Sequence, residues 1–177
     1  GKTWNELEGW ADDAKYYKDM VEYHDKTIGR IVEKLDQLNI REETLIIYLG
    51  DNGSPIEVSS YMGNQEIPGG KGKTIDTGTH VPLICNWKNN IPESIVSTDL
   101  VDSTDFLPTI FDAAELQYPE NYIVDGKSFY PQLTGEKGNP RDWIFFHFDA
   151  GGRNKKPIQR FLRNHLWKLY EDGRMFD

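Results

Sequence analysis

A single cysteine among 177 residues, Cys85, excludes an intrachain disulfide framework and leaves the redox compartment open. Only four histidines are present, no two of them at zinc-ligand spacing, so a zinc site is not encoded. No apolar run approaches the roughly 18 residues that suggest a membrane-spanning helix. Basic residues are the minority, 20 Lys and Arg against 29 Asp and Glu, and the net charge of −9 argues against a nucleic-acid partner. Internal repeats and low-complexity tracts are missing, and no targeting segment is evident at either end. What remains is 37% hydrophobic, 12% aromatic and 28% charged, the composition of a polar chain that folds, with length for one ordinary domain.

Residues 1–16 read as a polar, tryptophan-dotted lead-in. From Tyr17 to Leu38 the apolar positions Tyr17, Met20, Val21, Ile28, Ile31, Val32, Leu35 and Leu38 recur at helical spacing, with Asn39 as the stop. Leu45–Leu49 is apolar on both alternating faces, which predicts a strand buried on both sides, the habit of parallel sheets covered by helices. It ends in Gly50-Asp51-Asn52-Gly53. Ser54 to Gly78 is polar and glycine-rich without periodicity, and a loop of that length is expected to be functional or disordered. Val81–Trp87 predicts a second strand, and Ser103–Ala114 a helix capped by Ser103 or Thr104. After the mixed stretch Glu115–Arg141, short strand candidates at Ile144–Phe148, Arg160–Arg163, Leu166–Tyr170 and Met175–Phe176 predict an antiparallel meander. Gly151-Gly152, Asn164-His165 and Asp172-Gly173 separate them as turns. The expected organisation is therefore an α/β part over 17–141 and a small antiparallel sheet over 142–177.

Asp51 and Asn52 stand at the carboxyl end of a predicted strand, where open α/β sheets bind ligands. A carboxylate beside an amide oxygen offers hard ligands suited to Ca²⁺ or Mg²⁺. Read alone, Asp-Asn-Gly is more simply an ordinary turn. Gly69-Gly70-Lys71-Gly72-Lys73-Thr74 resembles the end of a phosphate-binding P-loop, but Ile67 stands where that motif needs glycine. What is left is a glycine frame that lets a lysine ammonium approach an oxyanion, or else a solvated basic loop. His80 closes the glycine-rich stretch near Lys71. His24, on the helix, His147 and His165 read as structural or turn residues.

In order, these segments resemble the sulfatase family of the alkaline phosphatase superfamily. The resemblance is carried by Met20-Val21 and Asp25 through Ile28-Gly29, then Glu43 to Ile47, Asp51-Asn52-Gly53, Gly70-Lys71-Gly72-Lys73-Thr74 and Gly78-Thr79-His80-Val81-Pro82. Asp105 to Thr109, Arg160 to Arg163 and Trp167-Lys168-Leu169 continue it. It implies an α/β fold, the C-terminal portion of an alkaline-phosphatase-like sandwich followed by a small antiparallel β-sheet subdomain. It further implies that Asp51 and Asn52 ligate Ca²⁺, that Lys71 contacts the sulfate, and that the substrate is a sulfated small molecule or glycan. A secreted or otherwise extracytoplasmic location follows from the same resemblance.

The family's nucleophile is a formylglycine made from the Cys or Ser that opens a Cys/Ser-x-Pro-x-Arg motif. Cys85 is followed by Asn86, Trp87, Lys88 and Asn89, so it is not that residue, and the nucleophile is expected in an upstream segment that would be this chain's first partner. His80 stands where many sulfatases have arginine, which makes it a candidate substrate contact. Two alternatives remain open here. One is a phosphatase or phosphoryl-transfer relative in the same superfamily, against which the scarcity of metal-spaced histidines argues. The other is a non-catalytic carbohydrate-binding module using the aromatics Trp143, Phe145, Phe146, Phe148, Phe161, Trp167 and Tyr170.

Overall fold

The periodic apolar positions after Tyr17 form α1 (Asp13–Gln37), a 25-residue helix, in a computed structural model that describes residues 13–149, 151 and 157–177. The expected lead-in lies outside the described residues up to Asp12, and Gly152 of the expected turn lies outside them too. Asn39, in the left-handed conformation at φ 55°, ends α1. The Ile40 N–H donates to Leu35 O at 3.1 Å and the Asn39 N–H to Asp36 O at 3.0 Å, which satisfies carbonyls the last turn leaves open. Among the described residues no helix is long and apolar enough to cross a membrane.

The chain divides into two compact units, residues 1–88 and 89–177. In the first, β1 (Ile46–Leu49) pairs with β4 (Leu83–Asn86), Tyr48 opposite Ile84 and Leu49 opposite Leu83. This corrects the expectation of a doubly buried parallel strand: the pair is antiparallel and two-stranded, and Leu49 is 43% and Ile84 59% exposed. The apolar run is real, but this unit covers only part of it. The same holds for α1, whose half-buried stripe of Tyr17, Ile28, Val32 and Leu35 is flanked by exposed Met20, Ile31 and Leu38. The helix has a wider apolar arc than its neighbours here fill. Trp87 Nε1 donates to Glu42 O at 2.6 Å, tying the end of β4 to the lead into β1.

Between β1 and β4, the stretch expected as a long loop contains a hairpin, β2 (Ser59–Met62) and β3 (Gln65–Pro68), and a single helical turn, α2 (Asp76–Thr79). Every residue of the hairpin is exposed except Ile67, which is half-buried.

In the second unit, Asp102 rather than Ser103 or Thr104 caps the turn leading into α3 (Phe106–Ala113), accepting from Thr104 N–H at 2.9 Å. Asp105, 2% exposed, accepts from the main-chain N–H of Asp102 and Lys127 and from the Arg141 guanidinium, whose Nε donates to Oδ2 at 2.7 Å. Those hydrogen bonds hold the Arg141 pKa above its ordinary value. Thr109, fully buried, donates to Asp105 O and accepts from Phe129 N–H. A short helix, α4 (Tyr130–Leu133), lies in the stretch read as mixed.

The expected meander is present as β5 (Ile144–Phe148), β6 (Gln159–Arg163), β7 (Lys168–Tyr170) and β8 (Met175–Phe176), antiparallel in that order. One face holds the stacked rings of Phe146 and Phe161, centroids 4.8 Å apart, with Tyr170 beside them and Lys168 Nζ 4.6 Å from the Phe161 ring centre. On the other face Phe145, Leu162, Leu169 and Met175 stand in register across four strands, all 43–54% exposed.

Candidate functional site

The paired strands set the starting point of the site. Leu49 is the last residue of β1, and the Gly50 N–H donates to Pro82 O at 3.0 Å, extending the pairing by one step. Asp51 and Asn52 follow at once, so they leave the strand end as expected, Asp51 exposed and Asn52 half-buried.

Main-chain bonds then gather three segments. The Gly53 N–H donates to Gly78 O at 3.1 Å, and the Lys71 N–H to Ser54 O at 3.0 Å. The Lys73 N–H donates to Gly70 O at 2.9 Å, turning the chain about Lys71–Gly72, where Gly72 takes the left-handed φ of 75°. The His80 N–H donates to Asp76 O at 2.8 Å and closes α2. This crowding needs residues without side chains. A Cβ on Gly53 would run into the Thr77 carbonyl, one on Gly70 into Thr77 Oγ1 and Gly78 N, and one on Gly78 into the carbonyl oxygens of Lys73 and Gly70.

The structure thus brings the segments bearing Asp51, Asn52, Lys71 and His80 into one hydrogen-bonded cluster of main chain. The side chains of these four make no hydrogen bond or ion pair among the described residues, and those of Asp51, Lys71 and His80 are exposed. An aspartate carboxylate and an asparagine amide oxygen fit a hard cation, but two donors are far from the six to eight that Ca²⁺ takes. No group of three or more His, Cys, Asp and Glu that could hold a metal occurs among the described residues. The donor set fits part of a calcium site. The lone cysteine lies elsewhere, on β4, where burial pushes its thiol pKa up to about 11.

Sequence reasoning missed two hydroxyls near the cluster. Tyr17, counted only as an apolar helix position, shares a 2.8 Å hydrogen bond with Ser54 Oγ. Thr77 Oγ1 is buried beside Gly70 with no hydrogen-bond partner among the described residues. Neither carries a sequence signal of its own, since a tyrosine on an apolar stripe and a threonine in a loop are ordinary.

Comparison with known proteins gives concordant matches. A family model described as Sulfatase matches residues 2–116, and one described as N-sulphoglucosamine sulphohydrolase, C-terminal, matches residues 71–171. The human steryl-sulfatase is 30% identical over 160 residues, which is 87% of this chain and 27% of that protein. The N-acetylgalactosamine-6-sulfatase of Canis lupus familiaris is 29% identical over 136 residues, 76% of this chain and 26% of that protein. The chain spans about a quarter of the length of such relatives. Among solved structures, Ps i-CgsB shares the fold over 93% of this chain and 36% of its own, with a TM-score of 0.73 at 24% identity. BT1596, a 2-O GAG sulfatase, does so over 86% of this chain and 33% of its own, with a TM-score of 0.67 at 20% identity.

Proposed function

The chain belongs to the sulfatase family, and from that premise we propose that it forms the C-terminal part of a sulfuric ester hydrolase, contributing Asp51 and Asn52 to a calcium site and Lys71 to the sulfate. The observation that carries this reading is the clustering of three segments by the Gly53–Gly78 and Lys71–Ser54 main-chain bonds, with the side chains of Asp51, Asn52, Lys71 and His80 making no hydrogen bond or ion pair among the described residues. The expected fold class, α/β with a small antiparallel sheet at the C-terminal end, agrees with the sheets described here and with the solved relatives.

Hydrolysis of a sulfate ester places growing negative charge on the leaving oxygen and the non-bridging oxygens. Ca²⁺ bound at Asp51 and Asn52 would supply Lewis-acid polarisation and a template for sulfate oxygens. The Lys71 ammonium, borne on a turn whose main chain is pinned by its own N–H and by Gly70, would stabilise that charge. His80, at the end of α2, offers a ring N–H or a lone pair to the substrate. The substrate class is a sulfated small molecule or a sulfated glycan, and the location is extracytoplasmic.

The 177 residues contain no Cys/Ser-x-Pro-x-Arg sequence. The formylglycine nucleophile and the remaining calcium ligands therefore belong to a further segment of the parent enzyme, and the chain alone is inactive, because covalent catalysis needs the nucleophile itself. The test is made in the parent enzyme. Asp51→Ala is expected to lower both calcium content and turnover, and Lys71→Ala to cost about 10²–10³ in rate. Lys73→Ala should leave turnover near wild type. Unchanged calcium and turnover in Asp51→Ala would return Asp-Asn-Gly to an ordinary turn, and a larger loss at Lys73 would transfer the sulfate contact to that lysine.

A further inference from the structure

Two contacts join α1 to the strand and turn that lead into the site. The His24 ring lies 5.7 Å from the Tyr48 ring of β1, and the Tyr17 hydroxyl shares its 2.8 Å hydrogen bond with Ser54 Oγ. The two helix residues are seven apart, so they lie on one face, about 10.5 Å from each other along the axis. Their partners run the opposite way, from Tyr48 to Ser54, which lays the helix antiparallel to β1 with its N-terminal end over the turn that follows the strand.

Ser54 is the hinge of that turn. Its carbonyl accepts the Lys71 N–H at 3.0 Å, while Gly53, just before it, donates to Gly78 O. One residue therefore holds the lysine loop by its main chain and is itself held by the helix through its side chain. Tyr17 and Ser54 are both half-buried, so water competes only in part for this bond.

We propose that Tyr17 is a positioning residue for Lys71: its hydroxyl fixes Ser54, and Ser54 fixes the main chain from which the Lys71 ammonium reaches the sulfate. This rests on the reading of Lys71 as the sulfate-binding lysine. The phenol ring packs on α1's half-buried stripe and would remain in Tyr17→Phe, so that variant removes the link and spares the packing. Ser54→Ala removes it from the other side.

The experiment uses the whole parent enzyme and two independent readouts. Hydrogen exchange of the Lys71 amide should quicken several-fold in Tyr17→Phe and in Ser54→Ala, without a matching change in the α1 amides. Turnover of an aryl sulfate should fall about tenfold in kcat with KM little changed, as expected when a catalytic group is displaced by a fraction of an ångström. In the Lys71→Ala background, Tyr17→Phe should cost almost nothing further, because residues acting through one another are not additive. Unchanged exchange at Lys71 would overturn the proposal whatever the kinetics. Full additivity with Lys71→Ala would overturn it too, by showing that Tyr17 acts on something other than the lysine. A Lys71→Ala variant with normal turnover would sink the sulfate-binding reading instead, and with it any catalytic role for this link.

Discussion

Gly78 and Asp105 are each the point where several segments of their unit meet, yet they hold those segments by opposite means. At Gly78 the Gly53 turn, the lysine loop and α2 approach through bare main chain, and the absence of a side chain is what permits it. At Asp105 two main-chain N–H groups and one guanidinium converge on a single buried carboxylate. Among the described residues, the buried apolar side chains Pro108, Phe129, Phe161 and Tyr170 also belong to residues 89–177, against Val58 in the first unit. The first junction fails when atoms are added and the second when atoms are removed. The first arrangement holds position by main chain alone and leaves Lys71, Asp51 and His80 exposed.

The sharpest way to break this contrast is Asp105→Ala. Removing one partner of a buried ion pair strands the other, and about 3–5 kcal/mol of stability should be lost. Chemical denaturation of the parent enzyme should show an earlier transition, while calcium content measured below that transition stays at the wild-type level. Loss of calcium together with stability would mean that the two junctions are not independent.

The next largest effect is expected from Gly78→Ala. One added methyl meets main-chain oxygen of Lys73 and Gly70, neither of which can swing aside, so about 1–3 kcal/mol of overpacking strain is expected. Turnover should fall further than this strain predicts, because the lysine loop moves with it. Steady-state kinetics beside a melting curve separates the two. An alanine variant with normal kcat would show that the close approach is not needed for Lys71's position.

A smaller effect sharpens the contrast from the side of β4. The Cys85 thiol is raised from 9.0 to about 11 by burial, so the folded chain keeps a proton that the unfolded chain releases. The stability is fully present below about pH 9 and is lost as pH rises from there through about 11. At pH 8 labelling by a thiol reagent should be about tenfold slower than for an exposed cysteine, once the greater nucleophilicity of a more basic thiolate is counted. Labelling at the rate of a free thiol would mean that the β1–β4 face opens readily.

Much of the architecture was legible in the sequence, and the exceptions have physical causes. Helix α1 was readable because its apolar positions keep one period for six turns, and Asn39 marks its end. The meander was readable because Phe146, Phe161 and Tyr170 alternate with outward residues on short strands. The pairing of β1 was misread because Ile46–Leu49 is apolar on both faces, a pattern that records what a strand is suited to be covered by and not which partner it pairs with. The β2–β3 hairpin was missed because exposure on both faces erases alternation, although Gly63-Asn64, with Gly63 at φ 61°, is a hairpin-turn dipeptide. Of the candidate site, the residue types at Asp51, Asn52 and Lys71 could be read from order and spacing. The Tyr17–Ser54 bond could not, because nothing in a sequence says that a helix laid antiparallel to β1 ends over the turn after it.

That hairpin also sets where this protein can change without changing its chemistry. Its last strand runs through Pro68 into Gly69, whose N–H donates to Val58 O, and two residues later Lys71 is fixed to Ser54. The base of the ribbon is therefore closed on itself before the lysine loop begins. Because the register is set from that base, residues inserted at Gly63–Asn64 would lengthen the tip and leave the faces of Ser59–Met62 and Gln65–Pro68 as they are. The ribbon is an arm on a fixed base, so a change at its tip need not move the lysine.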